Sequence, residues 1–257
     1  MSLIDSHAHL TFDVLASDLA GVLARAAEAQ VAHIVTIGTG LEDSQRAVEL
    51  AAAHADVSAV AGIHPHEAAE VTRQHLDGLR NLLDSPHVVG MGEMGLDYHY
   101  GFSDRLSQRR VFEAQLDIAS SRQLPLVVHC RDAVRDTVSI LSAAGFDRRP
   151  VVFHCFTGTR EEAEVIDDHG WRISFTGIVT FKNAAALQDI ARTYPADQLM
   201  IETDCPYLSP VPVRSAKANE PAHLVHTARF LADLRDEAFD TLAAKTAANT
   251  RRFFALA

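Results

Sequence analysis

Short apolar runs, repeated eight times and separated by amphipathic stretches, constrain this 257-residue chain more than any other feature. The runs are "SLID" near the start, "HIVTIG" from His33, "VSAVAGI" from Val57 and "HVVGMGE" from His87. They continue with "PLVVHC" from Pro125, "PVVFHCF" from Pro150, "WRISFTG" from Trp171 and "LMIETD" from Leu199. Each has strand length and is apolar on both faces, as strands inside a parallel sheet must be. Between them the period turns helical. In "RRVFEAQLDIASSRQ", Phe112, Leu116 and Ala119 share one stripe, and Pro125 sets that helix's limit. Similar stripes begin at Val14, Leu41, Gln74, Ala133, Arg160, Ala184 and Leu224. Such alternation requires right-handed crossovers between parallel strands. Eight units in this length predict an α/β fold, a single-domain (β/α)8 TIM barrel over residues 1–257. An open doubly wound sheet is the alternative, but the chain has no G-x-G-x-x-G turn and no P-loop.

In a barrel the C-terminal strand ends meet at one mouth, where enzymes of this architecture keep their reactive groups. Here the runs end in polar residues: His7 and His9, His64, Glu93, His129, His154, and finally Glu202 with Asp204. His7 and His9, two residues apart in an extended segment, face the same way. A carboxylate at a buried strand end, such as Glu93 or Asp204, is costly unless it is paired or holds a cation. Four imidazoles (His7, His9, His129, His154) and those two carboxylates exceed the ligand set of one catalytic zinc. The sequence therefore predicts two divalent metal ions, bridged by Glu93 and a water-derived hydroxide. Imidazole-rich ligation suits Zn, Mn, Fe or Co, and the carboxylates keep Mg in the set.

Cys130, Cys155 and Cys205 are odd in number and widely spaced, which fits reduced thiols in a cytoplasmic protein. Each follows a candidate ligand, so alternation turns it toward the surrounding helices. No secretory leader and no membrane span is expected, because no apolar run approaches the required length. A net charge of −11 argues against broad adhesion to nucleic acid. It leaves a nucleic-acid substrate open, since bound cations or a local basic rim can reverse the field at one site. Nothing in the sequence points to an obligate protein partner. His33, His54, His75, His87, His169, His223 and His226 lie off the strand ends and receive no role, whereas His66 and His99 fall in mouth loops.

In order, "DSHAHL", "GIHPH", "GEMGLDYH", "VVHCRDA", "HCFTG", "IETDCPYL" and "NEP" resemble the motifs of the TatD family of metal-dependent deoxyribonucleases, within the metallo-dependent hydrolase superfamily. Many superfamily relatives bridge their metals with a carboxylated lysine on the fourth strand. This chain has only Lys182, Lys217 and Lys245, none on that strand, and Glu93 takes the place. After the eighth strand, "PVPVRSAKANEP" departs from the family pattern: Val213 and Ser215 stand where a histidine and a glycine are usual.

The resemblance implies a metal-dependent phosphodiester hydrolase acting on DNA, single-stranded and from the 3′ end. In that reading His7, His9, Glu93 and Asp204 hold the more buried metal, and Glu93, His129 and His154 the other. Asp204 serves as general base. Arg131 and His64 contact phosphate, with Tyr98 and Glu202 also near the substrate, and Tyr98, Phe156 and Tyr207 are candidate stacking rings. The same ligands would serve a hydrolase of an amide or ester, such as an acylated nucleotide or tRNA. They would also serve a phosphomonoesterase, or a metal-binding scaffold without turnover.

Overall fold

The structure, a computed structural model, describes residues 2–256. Its strands are β1 (Leu3–Ala8), β2 (Val31–Ile37), β3 (Val57–Ala61), β4 (Val88–Asp97), β5 (Leu126–Arg131), β6 (Val151–Phe153), β7 (Arg172–Phe175) and β8 (Leu199–Ile201). All pair in parallel, each with the next, to form one eight-stranded sheet. The sheet curls into the expected (β/α)8 barrel, and Ala8 bridges Cys205 where its ends meet. Around it lie α1 (Asp13–Ala16), α2 (Leu19–Glu28), α3 (Leu41–Ala53), α4 (Arg73–Leu82), α5 (Arg105–Ser120), α6 (Val134–Ala143), α7 (Arg160–Asp168), α8 (Ala185–Thr193), α9 (Leu224–Leu234) and α10 (Phe239–Phe254). Among the described residues, no helix is long and apolar enough to cross a membrane.

Because successive side chains point to opposite faces, the strands divide their apolar residues between two cores. The outer core, between sheet and helices, takes Leu3, Ile34, Ala59, Met91, Val128, Phe153 and Phe175 together with Phe112 and Leu116 of α5. The inner core takes Val35, Ile37, Val60, Val127, Val152 and Met200. It is completed by Phe253 and Phe254 of α10, a helix the sequence periodicity did not single out. The carbon a side chain would add at Gly90, near the start of β4, would stand 3.1 Å from the Phe254 ring. The two phenylalanines thus plug the end of the barrel opposite the mouth.

Two register shifts shape the mouth. Against β5, Met91 pairs with Leu126 and Met94 with Val128, so β4 spends one residue more than its neighbour. Met91 and Met94 both pack in the outer core. Strict alternation from Met91 would send Glu93 outward as well. The extra residue reverses the parity, and Glu93 points inward. Gly92 makes this possible with φ +151°, beside a β5 backbone where a side chain would overlap the Val127 carbonyl oxygen. A similar shift in β1 lies between Asp5 and Ala8, around His7.

Two buried glutamines of α5 pin the strand ends. Gln115 accepts the Ile63 N–H at 2.8 Å and donates to the Ile63 carbonyl at 2.9 Å. Gln108 treats Asp97 the same way, at 2.8 Å for both bonds. Each side chain replaces the neighbouring strand that a barrel rim lacks. Gln115→Leu keeps the bulk and leaves both Ile63 groups without this partner. We expect it to destabilise the fold by about 1–3 kcal/mol per uncompensated group in urea unfolding. An unchanged midpoint would show that the glutamine does not hold the loop.

Candidate active site

The mouth is organised around the Glu93 carboxylate, which is 2% exposed. Its Oε1 lies 2.7 Å from His154 Nε2, 3.0 Å from His129 Nδ1 and 3.3 Å from His64 Nε2. Its Oε2 faces the other way, 3.4 Å from His7 Nε2 and 3.8 Å from His9 Nε2. Asp204 Oδ1 completes the second side, 3.4 Å from His9 Nε2 and 3.6 Å from His7 Nε2. Among the donor groups that result are one of His7, His9 and Asp204 and one of Glu93, His129 and His154, with Glu93 between them; His64, His66 and His129, and His7, His154 and Glu202, form two more.

The spacing fits divalent cations. His7 Nε2 and His9 Nε2 approach to 3.3 Å. Donors around a four-coordinate ion with bonds of about 2.1 Å stand about 3.4 Å apart. The buried His7 Nδ1 and both ring nitrogens of His154 lack an aligned hydrogen-bond partner. Such groups are rarely left unsatisfied, and a cation shared by the cluster would satisfy the nitrogens that face it.

The electrostatics agree. Burial alone would raise the Glu93 carboxyl, but the fields of His154 and His64 and the bonds from His129 hold it well below the usual carboxylate range. Asp204 is lowered despite burial, chiefly by His9 and His7. Burial opposes protonation of His154, yet Glu93 and Glu202 raise it well above an ordinary imidazole. His129 is raised against the same opposition by Asp97 and Glu93. Burial pushes His64 down to about 4, so it is neutral near pH 7.

Other expected residues stand elsewhere. Tyr98 does not face the mouth: its hydroxyl donates to Asp136 Oδ2 at 2.8 Å, and the Arg105 guanidinium lies 4.0 Å above its ring. Asp97 points inward, so its neighbour must point out. Glu202 does not reach substrate space either. Fully buried, it accepts the Cys155 N–H at 2.7 Å and the Ser174 hydroxyl at 2.6 Å, and stands 3.3 Å from His154 Nδ1. It places a negative charge behind His154. Phe156 is buried, whereas Tyr207 and Arg131 are exposed.

The three thiols are free, and none joins a donor group among the described residues. Cys130 faces α6, 3.3 Å from Thr137 Oγ1. Several histidines without an assigned role prove structural: His33 bonds Ser58, His75 caps α4, and His169 bonds Asp147 and stacks on Trp171.

Two carboxylates escaped the sequence reading. Asp97, 1% exposed at the end of β4, accepts from His129 Nε2 at 2.9 Å and His66 Nε2 at 3.0 Å. It fixes the imidazole ring whose other nitrogen faces Glu93, as carboxylates commonly do behind a ligating histidine. Asp5, fully buried, accepts from the Thr203 N–H at 2.9 Å and from the Thr203 hydroxyl. Burial drives Asp5 up to about 7 even so. Both lay within quoted motifs, four residues after Glu93 and two before His7.

The sequence profile described as TatD related DNase matches residues 4–255. The chain belongs to the TatD family. Among its relatives is the Bacillus subtilis protein YabD, described as an uncharacterized metal-dependent hydrolase, 38% identical over 252 residues covering 98% of each chain. Escherichia coli K12 TatD, named a 3′-5′ ssDNA/RNA exonuclease, is 38% identical over 260 residues, with 99% of this chain and 100% of that one covered. The E. coli TatD homologue YjjV superposes with a TM-score of 0.94 at 28% identity, covering 99% and 98% of the two chains. A TatD-family hydrolase from Entamoeba histolytica gives 0.92 at 25% identity, covering 100% and 99%. The TatD barrel is thus shared in fold and extent, and family members are named as metal-dependent hydrolases and nucleases.

Because neighbouring carboxylates favour the protonated forms of His129 and His154, protons compete with metal for these rings, and metal affinity of this TatD protein is expected to rise with pH. Titration calorimetry in buffers of differing ionisation enthalpy should register proton release. A pH-independent affinity would contradict it. Glu202→Gln, behind His154, is expected to weaken metal binding about 10- to 100-fold, measured by competition with a chromogenic chelator.

Proposed function

We propose that this TatD-family protein is a two-metal phosphodiesterase that removes nucleotides from the 3′ end of single-stranded DNA. The observation that carries the reading is the division of Glu93, with Oε1 turned to His129 and His154 and Oε2 to His7 and His9. One carboxylate placed between two donor groups suits a pair of ions. The named exonuclease activity of the E. coli relative supports the substrate class.

His7, His9, Glu93 and Asp204 would hold one ion, and Glu93, His129 and His154 the other. When bound, divalent metal supplies Lewis acidity, polarising the phosphoryl group and lowering the pKa of water. The chain's own part is positional and acid–base. Asp204 is ionised and only 9% exposed, so its carboxylate is a poised base at the mouth. It accepts the proton of the attacking water at an Oδ atom and returns it to the leaving 3′ oxygen. Neutral His64, beside Glu93, and exposed Arg131, at the rim, contact the phosphate. Asp97 keeps the ring of His129 from turning, and the Glu202 carboxylate stands behind His154.

The test is a single-stranded oligonucleotide labelled at its 5′ end, with metal stripped and added back. Stepwise shortening from the 3′ end is expected only with metal, and Asp204→Asn should slow it about 10²- to 10⁴-fold. Activity that survives chelation, or preference for small ester and amide substrates over the oligonucleotide, would overturn the reading.

A further inference from the structure

The rim beside β3 and β4 carries rings that the fold leaves open. Phe102 is 68% exposed and Tyr100 44% exposed. Single exposed apolar residues are ordinary, but these two form a cluster. Their centroids are 5.7 Å apart with planes inclined 36°, and His66 lies 4.7 Å from Phe102 and 5.7 Å from Tyr100. The Arg131 guanidinium sits 5.1 Å from the Tyr100 centroid and has no carboxylate partner among the described residues.

The loop bearing the rings is tied down from several sides. Asp97 accepts the N–H groups of His99 and Tyr100 at 2.9 and 2.8 Å. The Ser103 hydroxyl donates to the His66 carbonyl at 2.6 Å and accepts the Ala69 N–H at 3.0 Å. Gln108 donates to the Ser103 carbonyl at 2.9 Å. Partly buried polar bonds therefore fix a segment whose aromatic side chains face solvent. The cluster also joins the candidate active site directly: the His66 ring lies 4.3 Å from His64 and 5.9 Å from His129.

We propose that Tyr100 and Phe102 form a stacking platform for bases near the 3′ end of single-stranded nucleic acid, with Arg131 at its edge for the backbone phosphate. The proposal rests on the nuclease reading and names where its substrate lies. An aromatic face accepts any base, which suits a strand shortened regardless of sequence. The Arg131 guanidinium over the Tyr100 ring, beside the more exposed Phe102, gives an anionic backbone a local foothold on a chain whose net charge is −11. Fixed anchoring means the backbone that carries the rings loses little freedom when a base arrives.

Two 5′-labelled oligothymidylates test it. One is unmodified, and the other carries base-free tetrahydrofuran units in place of its last three nucleotides. With the metal-loaded wild type, kcat/KM is expected to favour the first by roughly tenfold. Phe102→Ala and Tyr100→Ala should bring that preference toward unity, and Phe102→Trp should keep it, with Tm measured for each protein. An equal preference in wild type and Phe102→Ala overturns the platform. Should the wild type cleave neither oligonucleotide, the nuclease reading fails separately. Fluorescence anisotropy of the metal-loaded protein with the same pair then decides the platform: a preference lost in Phe102→Ala supports it, and indifference to the bases overturns it.

Discussion

A single ionised carboxylate, buried and ringed by imidazoles, sets the terms for the rest of this barrel. Left alone in an apolar interior, the Glu93 charge would be prohibitively costly. The chain surrounds it with His7, His9, His64, His129 and His154, contributed by the ends of four strands or the residues just after them. That arrangement works only if each strand stops at a matched height and each ring is kept from turning. The glutamines of α5 meet the first demand, and Asp97 meets the second for His129. Even the absence of side chains serves it: a carbon added at Gly62 would overlap the Gly92 backbone, which carries the turn into Glu93.

The cluster also shows how a protein stores a place for cations. Glu93 and Asp204 lie low, whereas His129 and His154 are raised by their acidic neighbours. The carboxylates favour protons on these imidazoles, which would neutralise them. A divalent ion does the same with better geometry, so proton and metal compete for one set of lone pairs. The carboxylated-lysine arrangement of other superfamily members cannot form here, because the strand position carries glutamate.

The barrel was legible in the sequence because strand runs and helical stripes have different periods, and all eight runs became strands. The converging residues were legible because strand ends share one mouth. What escaped depended on parity and on contacts distant in sequence. The run ending at Glu93 continues as strand to Asp97, and the extra residue at Gly92–Glu93 is invisible to a reading based on alternation. Hence Asp97 went unnoticed and Tyr98 was expected in the mouth, while Tyr100 and Phe102, beyond the strand, received no role. Glu202 was expected near the substrate, beside the ligand and base Asp204. The strand stops at Ile201, though, and Asp204 adopts φ +54°, so only Asp204 reaches the mouth. The α5 helix ends at Ser120, before Pro125, which instead lends its carbonyl to Met91.

The phenylalanine plug has an implication for how the molecule comes into being. Synthesis runs from the amino terminus, so every histidine and carboxylate of the mouth has left the ribosome before Phe253 and Phe254 are added. Until then Val35, Val60, Val127 and Val152 line a tube open to water at its far end. The burial that the inner core offers is therefore complete only when the two rings of α10 arrive at the end of the barrel opposite the mouth.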